Sequence, residues 1–148
     1  VRPNTDASIF TAANIAEVST QGIEFESSYK FKMSNYNQTI TFGYTYLNDD
    51  ILDQNKDLSR YSLNTLKHQF ISRFTSQWLK NVRQNIIFKH AERTVGTSYN
   101  VWDASLLVDV NKFTFTLIAN NIFNAEYIES GFVPMPSSNV LFGLRYGF

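Results

Sequence analysis

The 148-residue chain contains no cysteine, which excludes disulfides, cysteine-ligated zinc, iron–sulfur clusters and thiol chemistry. It has no apolar run long enough for a transmembrane helix and no signal-peptide hydrophobic region. Neither sign of charge is in excess, since 13 basic and 13 acidic residues cancel, so no basic field points to nucleic acid. These absences leave a membrane β-barrel open, because its strands need an apolar residue only at every second position.

Aromatic residues are abundant: 13 Phe, 8 Tyr and 2 Trp make up 16% of the chain. They recur with period two, and no helical pattern of comparable length competes with this alternation. After Gly22, for example, apolar Ile23 and Phe25 alternate with Glu24 and Glu26. The alternation predicts an all-β fold of seven antiparallel strands, which begin near Gly22 and Thr39 and then span Leu66 to Leu79, Val82 to Arg93, Asn100 to Val110, Phe113 to Asn120, and Val140 to Phe148.

The predicted connections alternate in length. Met33 to Gln38, Lys80-Asn81 and Asn111-Lys112 are short, whereas Asn48 to Thr65 and Ile122 to Asn139 are long. A two-residue hairpin at Asn111-Lys112 would place Val110 opposite Phe113, Val108 opposite Phe115 and Leu106 opposite Leu117, so that apolar residues pair throughout. Short turns at one end and long loops at the other are typical of outer-membrane barrels, with the long loops outside the cell.

Alternation alone does not say which face meets lipid, and a soluble lipocalin-like barrel would show the same period. The charged opposite face favours a wet lumen, and aromatic residues recur at strand ends, where interfacial girdles lie: Tyr46, Trp78, Tyr99, Trp102, Phe113 and Phe148. Seven antiparallel strands cannot close on themselves. The segment Ala7 to Thr20 is therefore either an eighth strand or an extension of the first, or else the chain is part of a larger barrel.

Five short motifs, in order along the chain, resemble elements of TonB-dependent outer-membrane receptors. Asn120-Asn121-Ile122-Phe123-Asn124-Ala125-Glu126-Tyr127 resembles the family's Asn-Leu-Phe-Asp-x-x-Tyr element. The segment from Glu17 to Glu26 is similar to its E-V-x-T-x-G-x-E-x-E strand entry. The remaining three lie at Tyr99 to Ala104, Pro134 to Pro136 and Leu144 to Phe148. Ser137-Ser138 stand where the family often has Gly-Arg.

The resemblance implies that residues 1–148 are the C-terminal part of a 22-stranded receptor barrel, without its plug domain. It implies an outer-membrane location and TonB-energised uptake of a large nutrient: an iron–siderophore complex, haem or cobalamin. The expected partners are outer-membrane lipid, the rest of the barrel and plug, the TonB complex, the assembly machinery and the transported chelate, but not nucleic acid. The alternatives are a complete eight-stranded outer-membrane barrel with a structural or adhesion role and a soluble lipocalin-like carrier.

Three sets of candidate residues follow. Phe142, Leu144, Tyr146 and Phe148 resemble the C-terminal signal that the assembly machinery recognises. On the charged phase, the lumen-facing candidates are Glu24, Glu26, Arg73, Lys89, Arg93, Asp103 and Arg145. The long loops contribute possible ligand contacts, because binding residues concentrate on loops carried by rigid scaffolds: Arg60, Tyr61, Tyr127, Phe132 and Met135.

Other chemistry is poorly supported. His68 and His90 fall on the apolar phase of neighbouring strands. His90 is predicted to lie opposite Phe70, and His68 opposite Glu92. We interpret both histidines as interfacial side chains rather than as metal ligands. The segment Asp53 to Asp57 imitates a calcium loop but lacks its glycine and its bidentate Glu. Ser72 and Ser76 share a phase with His68, but no orienting acid accompanies them except Glu92 at the rim. We therefore expect no catalytic site, metal or cofactor.

Overall fold

The computed structural model describes residues 2–4, 7–11, 18–51, 65–94, 98–130 and 133–148. Most of these residues lie in strands, as the alternating pattern of Thr, Tyr, Phe and β-branched residues favours. None of them belongs to a helix long and apolar enough to span a membrane. The strands are β1 (Arg2–Asn4), β2 (Ala7–Thr11), β3 (Val18–Met33), β4 (Tyr36–Ile51), β5 (Leu66–Leu79), β6 (Val82–Arg93), β7 (Tyr99–Val110), β8 (Phe113–Asn120), β9 (Ile128–Ser130), β10 (Val133–Pro134) and β11 (Asn139–Tyr146).

Seven of these strands form one antiparallel sheet in the order β3-β4-β5-β6-β7-β8-β11. Each strand pairs with its neighbour in sequence within that set. The prediction of seven antiparallel strands is confirmed. Among the described residues the sheet is open rather than a closed barrel, and β3 and β11 are its two edges.

Three tight turns lie at one end of this sheet, which we call the turn end. Ser34 and Asn35 have φ of 49° and 69°, and Asn111 has φ of 55°. These positive values match the twist of flanking strands in two-residue hairpins. The hairpin register predicted at Asn111-Lys112, with Val110 opposite Phe113, is confirmed. The first turn was predicted too long, from Met33 to Gln38, because Ser34 and Asn35 alone reverse the chain and Met33 pairs with Tyr36.

Other strand limits also differ from the prediction. β3 begins at Val18, four residues before Gly22, so its first residues extend the predicted strand. β1 and β2 pair only with each other, so neither is an eighth strand of the large sheet. β5 and β6 carry an irregularity between Gln77 and Leu79. It leaves Leu79 opposite Val82 across the Lys80-Asn81 turn.

The registers separate the sheet into an aromatic face and a polar face. On the aromatic face, rings from neighbouring strands meet in a ladder: the Phe42 and Phe70 centroids are 6.2 Å apart, those of Phe70 and Phe88 6.2 Å, and those of Phe88 and Trp102 4.7 Å. The predicted pairs of Phe70 with His90 and His68 with Glu92 are confirmed. The predicted division of apolar and charged phases therefore extends across the whole sheet.

Burial does not follow the usual pattern of a soluble sheet. The buried apolar residues of the described part are Ala91, Tyr99 and Val101, and all three lie on the polar face. The aromatic face is bare, with Phe25 62% and Phe142 70% exposed. The assignment of Tyr99 to an interfacial girdle is wrong. Its phase places it on the polar face, where it is only 7% exposed.

Candidate functional site on the polar face

The connection from β8 to β11 is described for residues 121–130 and 133–138, and these residues fold back over the polar face; we call them the folded connection. Its first residue, Asn121, is 3% exposed and has φ of 48°, a left-handed conformation that Asn tolerates better than most residues. The Asn121 backbone N–H donates a 2.8 Å hydrogen bond to Asp103 Oδ1. This bond directs the chain across β7 instead of away from the sheet.

The Asn121 side chain also closes the folded connection on itself. Its Nδ2 donates to the carbonyl oxygens of Ala125 at 2.9 Å and Pro136 at 3.2 Å, while its Oδ1 accepts from the Ala125 N–H at 2.8 Å. A second asparagine, Asn124, accepts a hydrogen bond from the Ser138 N–H at 2.9 Å. Together the two asparagine side chains provide hydrogen-bond partners for backbone groups of an irregular segment, where no strand ladder pairs them.

An aromatic stack holds the middle of the folded connection against the sheet. The Tyr127 ring stacks on Tyr99 with centroids 4.6 Å apart and planes inclined by 30°. Tyr99, Ala91 and Val101 form the buried cluster, against which Tyr127 and Leu66 pack. The Met135 N–H donates to the Tyr127 carbonyl oxygen at 2.9 Å, which ties the returning chain to the stacked residue.

A charged pair lies beside this stack. Lys89 Nζ forms an ion pair and hydrogen bond with Glu129 Oε1, and the Tyr99 hydroxyl donates to the same oxygen at 3.1 Å. Burial acts to raise the pKa of Glu129, but the hydrogen bond and charge of Lys89 and the Tyr99 hydroxyl hold that pKa below its ordinary value. Burial and the Glu129 charge raise the pKa of Tyr127. At neutral pH the Glu129 carboxyl is therefore ionised and the Tyr127 hydroxyl is protonated.

The structure places every lumen-facing candidate on a polar-face position, but brings only some of them together. Lys89 and Asp103 hold the folded connection. Glu24, Glu26 and Arg73 lie around a shallow cavity of about 210 Å³ beside Gly43. The remaining two lie at opposite ends of the sheet, with Arg145 near the turn end and Arg93 at the last position of β6. Their lumen-facing role remains a prediction.

The loop candidates divide into two groups. Arg60, Tyr61 and Phe132 lie outside the described residues, as does the calcium-like segment Asp53 to Asp57. Tyr127 and Met135 belong to the folded connection, where both are half-buried. Ligand contact by any of the five remains a prediction.

The four assembly-signal candidates are exposed near one edge of the sheet. Phe142, Leu144 and Tyr146 lie on the aromatic face, and Phe148 follows β11. The rings of Phe113 and Tyr146 are 5.0 Å apart, and those of Tyr146 and Phe148 5.3 Å apart. The cluster is accessible, and recognition by assembly machinery remains a prediction.

Neither histidine takes part in a metal cluster in the part of the chain that the structure describes. His68 Nδ1 is 2.8 Å from the Tyr44 hydroxyl, and His90 Nδ1 is 2.8 Å from Asn100 Oδ1. The Ser76 side chain is 1% exposed, and its hydroxyl bonds to neither histidine. The absence of enzymatic chemistry remains a prediction.

The residues of this site that the sequence interpretation missed include Tyr99 as a packing residue and Glu129. The sequence contained a signal for Tyr99. Ala91 and Val101, which are small or apolar, have the same phase as Tyr99, although charged residues predominate on that phase. Glu129 gave no signal, since its partner is 40 residues away.

No family model, curated protein or solved structure matches this chain. Fold and geometry must therefore support any functional proposal without the help of a relative.

Proposed function

We propose that the chain is the C-terminal part of the barrel of a TonB-dependent receptor in the bacterial outer membrane. In this proposal the aromatic face meets lipid, the polar face lines the lumen, and the receptor takes up a large nutrient such as an iron–siderophore complex, haem or cobalamin. Sequence motifs support the proposal, because the segment Asn120 to Tyr127 and the four accompanying segments resemble elements of this receptor family.

The observation that carries the proposal is the distribution of burial. In a soluble sheet the aromatic face would be covered and the charged face would be wet. Here the folded connection covers part of the charged face, while large aromatic side chains are uncovered even on inner strands, where Phe42 is 43% and Trp102 38% exposed. A contiguous bare apolar face requires an apolar partner, and lipid is the partner of a barrel's outer face.

The boundary of the aromatic face is a second support. At the end opposite the turns, the first polar residue is Gln21 on β3, His68 on β5, His90 on β6 and Asn100 on β7. Measured by strand pairing, His68 is one row nearer the turn end than Gln21, and His90 and Asn100 are two rows nearer. The boundary therefore crosses the strands obliquely.

The angle can be estimated from standard spacings. Two rows of about 6.8 Å, over four strand intervals of about 4.8 Å, incline the boundary by about 35° to the pairing rows. Strands of outer-membrane barrels are tilted by about 35–45° from the membrane normal. An apolar band set at this angle fits a bilayer crossed by tilted strands.

The width of the band agrees with the same geometry. On β4 the aromatic face is bounded by Asn48 and by Gln38, which is 1% exposed and donates to the Gln77 carbonyl oxygen at 2.9 Å. These ten steps measure about 34 Å along the strand. At a 35° tilt this corresponds to about 28 Å along the normal, close to the apolar band of about 25 Å in outer-membrane barrels.

The open sheet supports a larger barrel. β3 and β11 run parallel, because six antiparallel pairings separate them, so the seven strands cannot close by pairing these two edges antiparallel. In the proposed receptor, strands from the rest of the barrel pair with both edges. In the proposed mechanism the long loops capture the chelate, and energy transmitted through the plug opens a path along the lumen.

Energised uptake tests the proposal. Cells that express the intact receptor should accumulate a labelled iron–siderophore complex, haem or cobalamin, and a protonophore or loss of TonB should abolish that accumulation. Outer-membrane location without energised uptake of any of these nutrients would favour a small structural barrel. Recovery of the protein as a monomer without detergent or lipid would favour a soluble carrier.

A further inference from the structure

Acidic residues of the described part are strongly segregated along the sheet, whereas basic residues occur along its whole length. The turn end carries one acidic residue, Asp109, against a set of exposed basic residues that we call the basic rim: Lys30, Lys32, Lys80, Arg83, Lys112 and Arg145. Arg83 Nη2 binds Asp109 Oδ2 at 2.8 Å, so the single acid is already neutralised. The remaining acidic residues of the described part, Glu24, Glu26, Asp49, Asp50, Glu92, Asp103, Glu126 and Glu129, lie beyond the basic rim toward the other end.

Exposed aromatic residues border the basic rim at two of the three turns. Lys112 lies with its ammonium 5.9 Å from the ring centroid of Tyr146, and Phe113 follows it in sequence. At the next turn, Lys80 follows Trp78 and Leu79, which are 56% and 55% exposed. Basic residues beside aromatic rings are typical of segments that sit at the headgroup level of a membrane.

We propose that the basic rim binds the headgroups of anionic phospholipids in the membrane leaflet at the turn end. The turn lysines Lys80 and Lys112 make the headgroup contacts, and Lys30, Lys32 and Arg145 behind them add to the positive field. This inference rests on the proposed function, because it takes the aromatic face to meet lipid.

Charge and position favour this partner. An anionic leaflet attracts basic groups within about 10 Å of its surface, and lysines on turns reach that surface directly. The neighbouring aromatic face holds the turns at the bilayer boundary. An acidic protein would match the charge but would leave the exposed rings of Trp78 and Phe113 without a partner.

Lipid competition at the turn end tests the inference. The chain has no cysteine, so Val110→Cys in the intact protein can carry a bimane label on the aromatic face near Lys112. Phe25→Cys provides the matched label far from the turns. Both proteins are folded in phosphatidylcholine vesicles that contain brominated phosphatidylcholine or brominated phosphatidylglycerol as quencher.

At low salt we expect the label at position 110 to select phosphatidylglycerol by about 10-fold over phosphatidylcholine, and 0.5 M NaCl to remove that preference. Lys80→Gln with Lys112→Gln should also remove it, whereas Lys67→Gln with Arg73→Gln should leave it unchanged. The label at position 25 should show no preference. Equal quenching by both lipids at position 110, or a preference that survives Lys80→Gln with Lys112→Gln, would overturn the inference but leave the lipid-facing assignment standing. Quenching by neither lipid would overturn that assignment as well.

Discussion

Tyr127 stacks on Tyr99 across the polar face, with ring centroids 4.6 Å apart. The contact joins residue 127 of the folded connection to the first residue of β7, and it covers the buried apolar cluster of the described residues. Because of this contact, the segment that resembles a receptor motif lies on the charged side of the sheet.

Removal of the Tyr127 ring should release the folded connection. Tyr127→Ala should lower the free energy of unfolding by about 2 kcal/mol, because a half-buried stacked ring is lost. Tyr127→Phe keeps the ring and should be nearly neutral. Denaturant unfolding of the protein in detergent micelles measures both variants, and equal effects of Ala and Phe would contradict the stacking role.

The Lys89–Glu129 pair should make stability depend on pH. The pKa of Glu129 in the folded protein is lowered, so its contribution is present above the ordinary carboxyl pKa and is lost as pH falls through the lowered value. Wild type should exceed Glu129→Gln in unfolding free energy at pH 7, and the difference should shrink as pH falls below about 4.

The exposed Glu126 provides the control for this pH series. No ion pair of Glu126 occurs in the described part of the chain, so Glu126→Gln should stay close to wild type throughout the series. A pH-independent difference between wild type and Glu129→Gln would show that the charge of Glu129 does not hold the folded connection.

The Asn121 side chain should matter more than that of Asn124. Both residues have positive φ, of 48° and 52°, so Gly substitution strains neither backbone. Asn121→Gly removes three side-chain hydrogen bonds at a buried position and should cost about 2–3 kcal/mol. Asn124→Gly removes one exposed bond and should cost about 1 kcal/mol or less. Similar losses in denaturant unfolding would contradict the central position given to Asn121.

Two glycines in paired strands test the close approach of β3 and β4. A Cβ on Gly22 would lie 2.5 Å from the Tyr46 carbonyl oxygen, whereas one on Gly43 would meet nothing within 4 Å. Gly22→Ala should therefore destabilise the protein by about 1–3 kcal/mol, and Gly43→Ala should be neutral or slightly stabilising. The reverse order in denaturant unfolding would contradict this pairing of β3 with β4.

The large sheet was predicted well from the sequence, because the patterns that specify it involve residues that are close together in the chain. Alternation set the face of each residue, and the register of the Val110 to Phe113 hairpin followed from its two-residue turn and from the pairing of apolar neighbours. The two-residue length of the Ser34-Asn35 turn was not predicted. This length requires a positive φ at both residues, and the serine at position 34 does not indicate one. The predicted strand limits were least accurate where polar residues such as Thr20 and Gln21 continue β3.

The folded connection could not be predicted in the same way. Its position depends on contacts between residues far apart in sequence: Glu129 with Lys89, and Tyr127 with Tyr99. No periodicity encodes such contacts, and the segment contains only the short strands β9 and β10. Tyr99 was wrongly predicted as a girdle residue because it lies at the end of a strand. Its phase in the alternation, which places it on the polar face, was not used.

The lipid-facing assignment of the aromatic face is the central claim, and a cysteine scan along β8 tests it most directly. In vesicles, a fluorophore at positions 113, 115 and 117 should be quenched by spin-labelled lipid chains, and one at 114 and 116 by an aqueous quencher. This alternation follows from the exposed Phe113, Phe115 and Leu117 on one face and Thr114 and Thr116 on the other. Aqueous quenching at 115 and 117, with no lipid quenching at any position, would contradict the account.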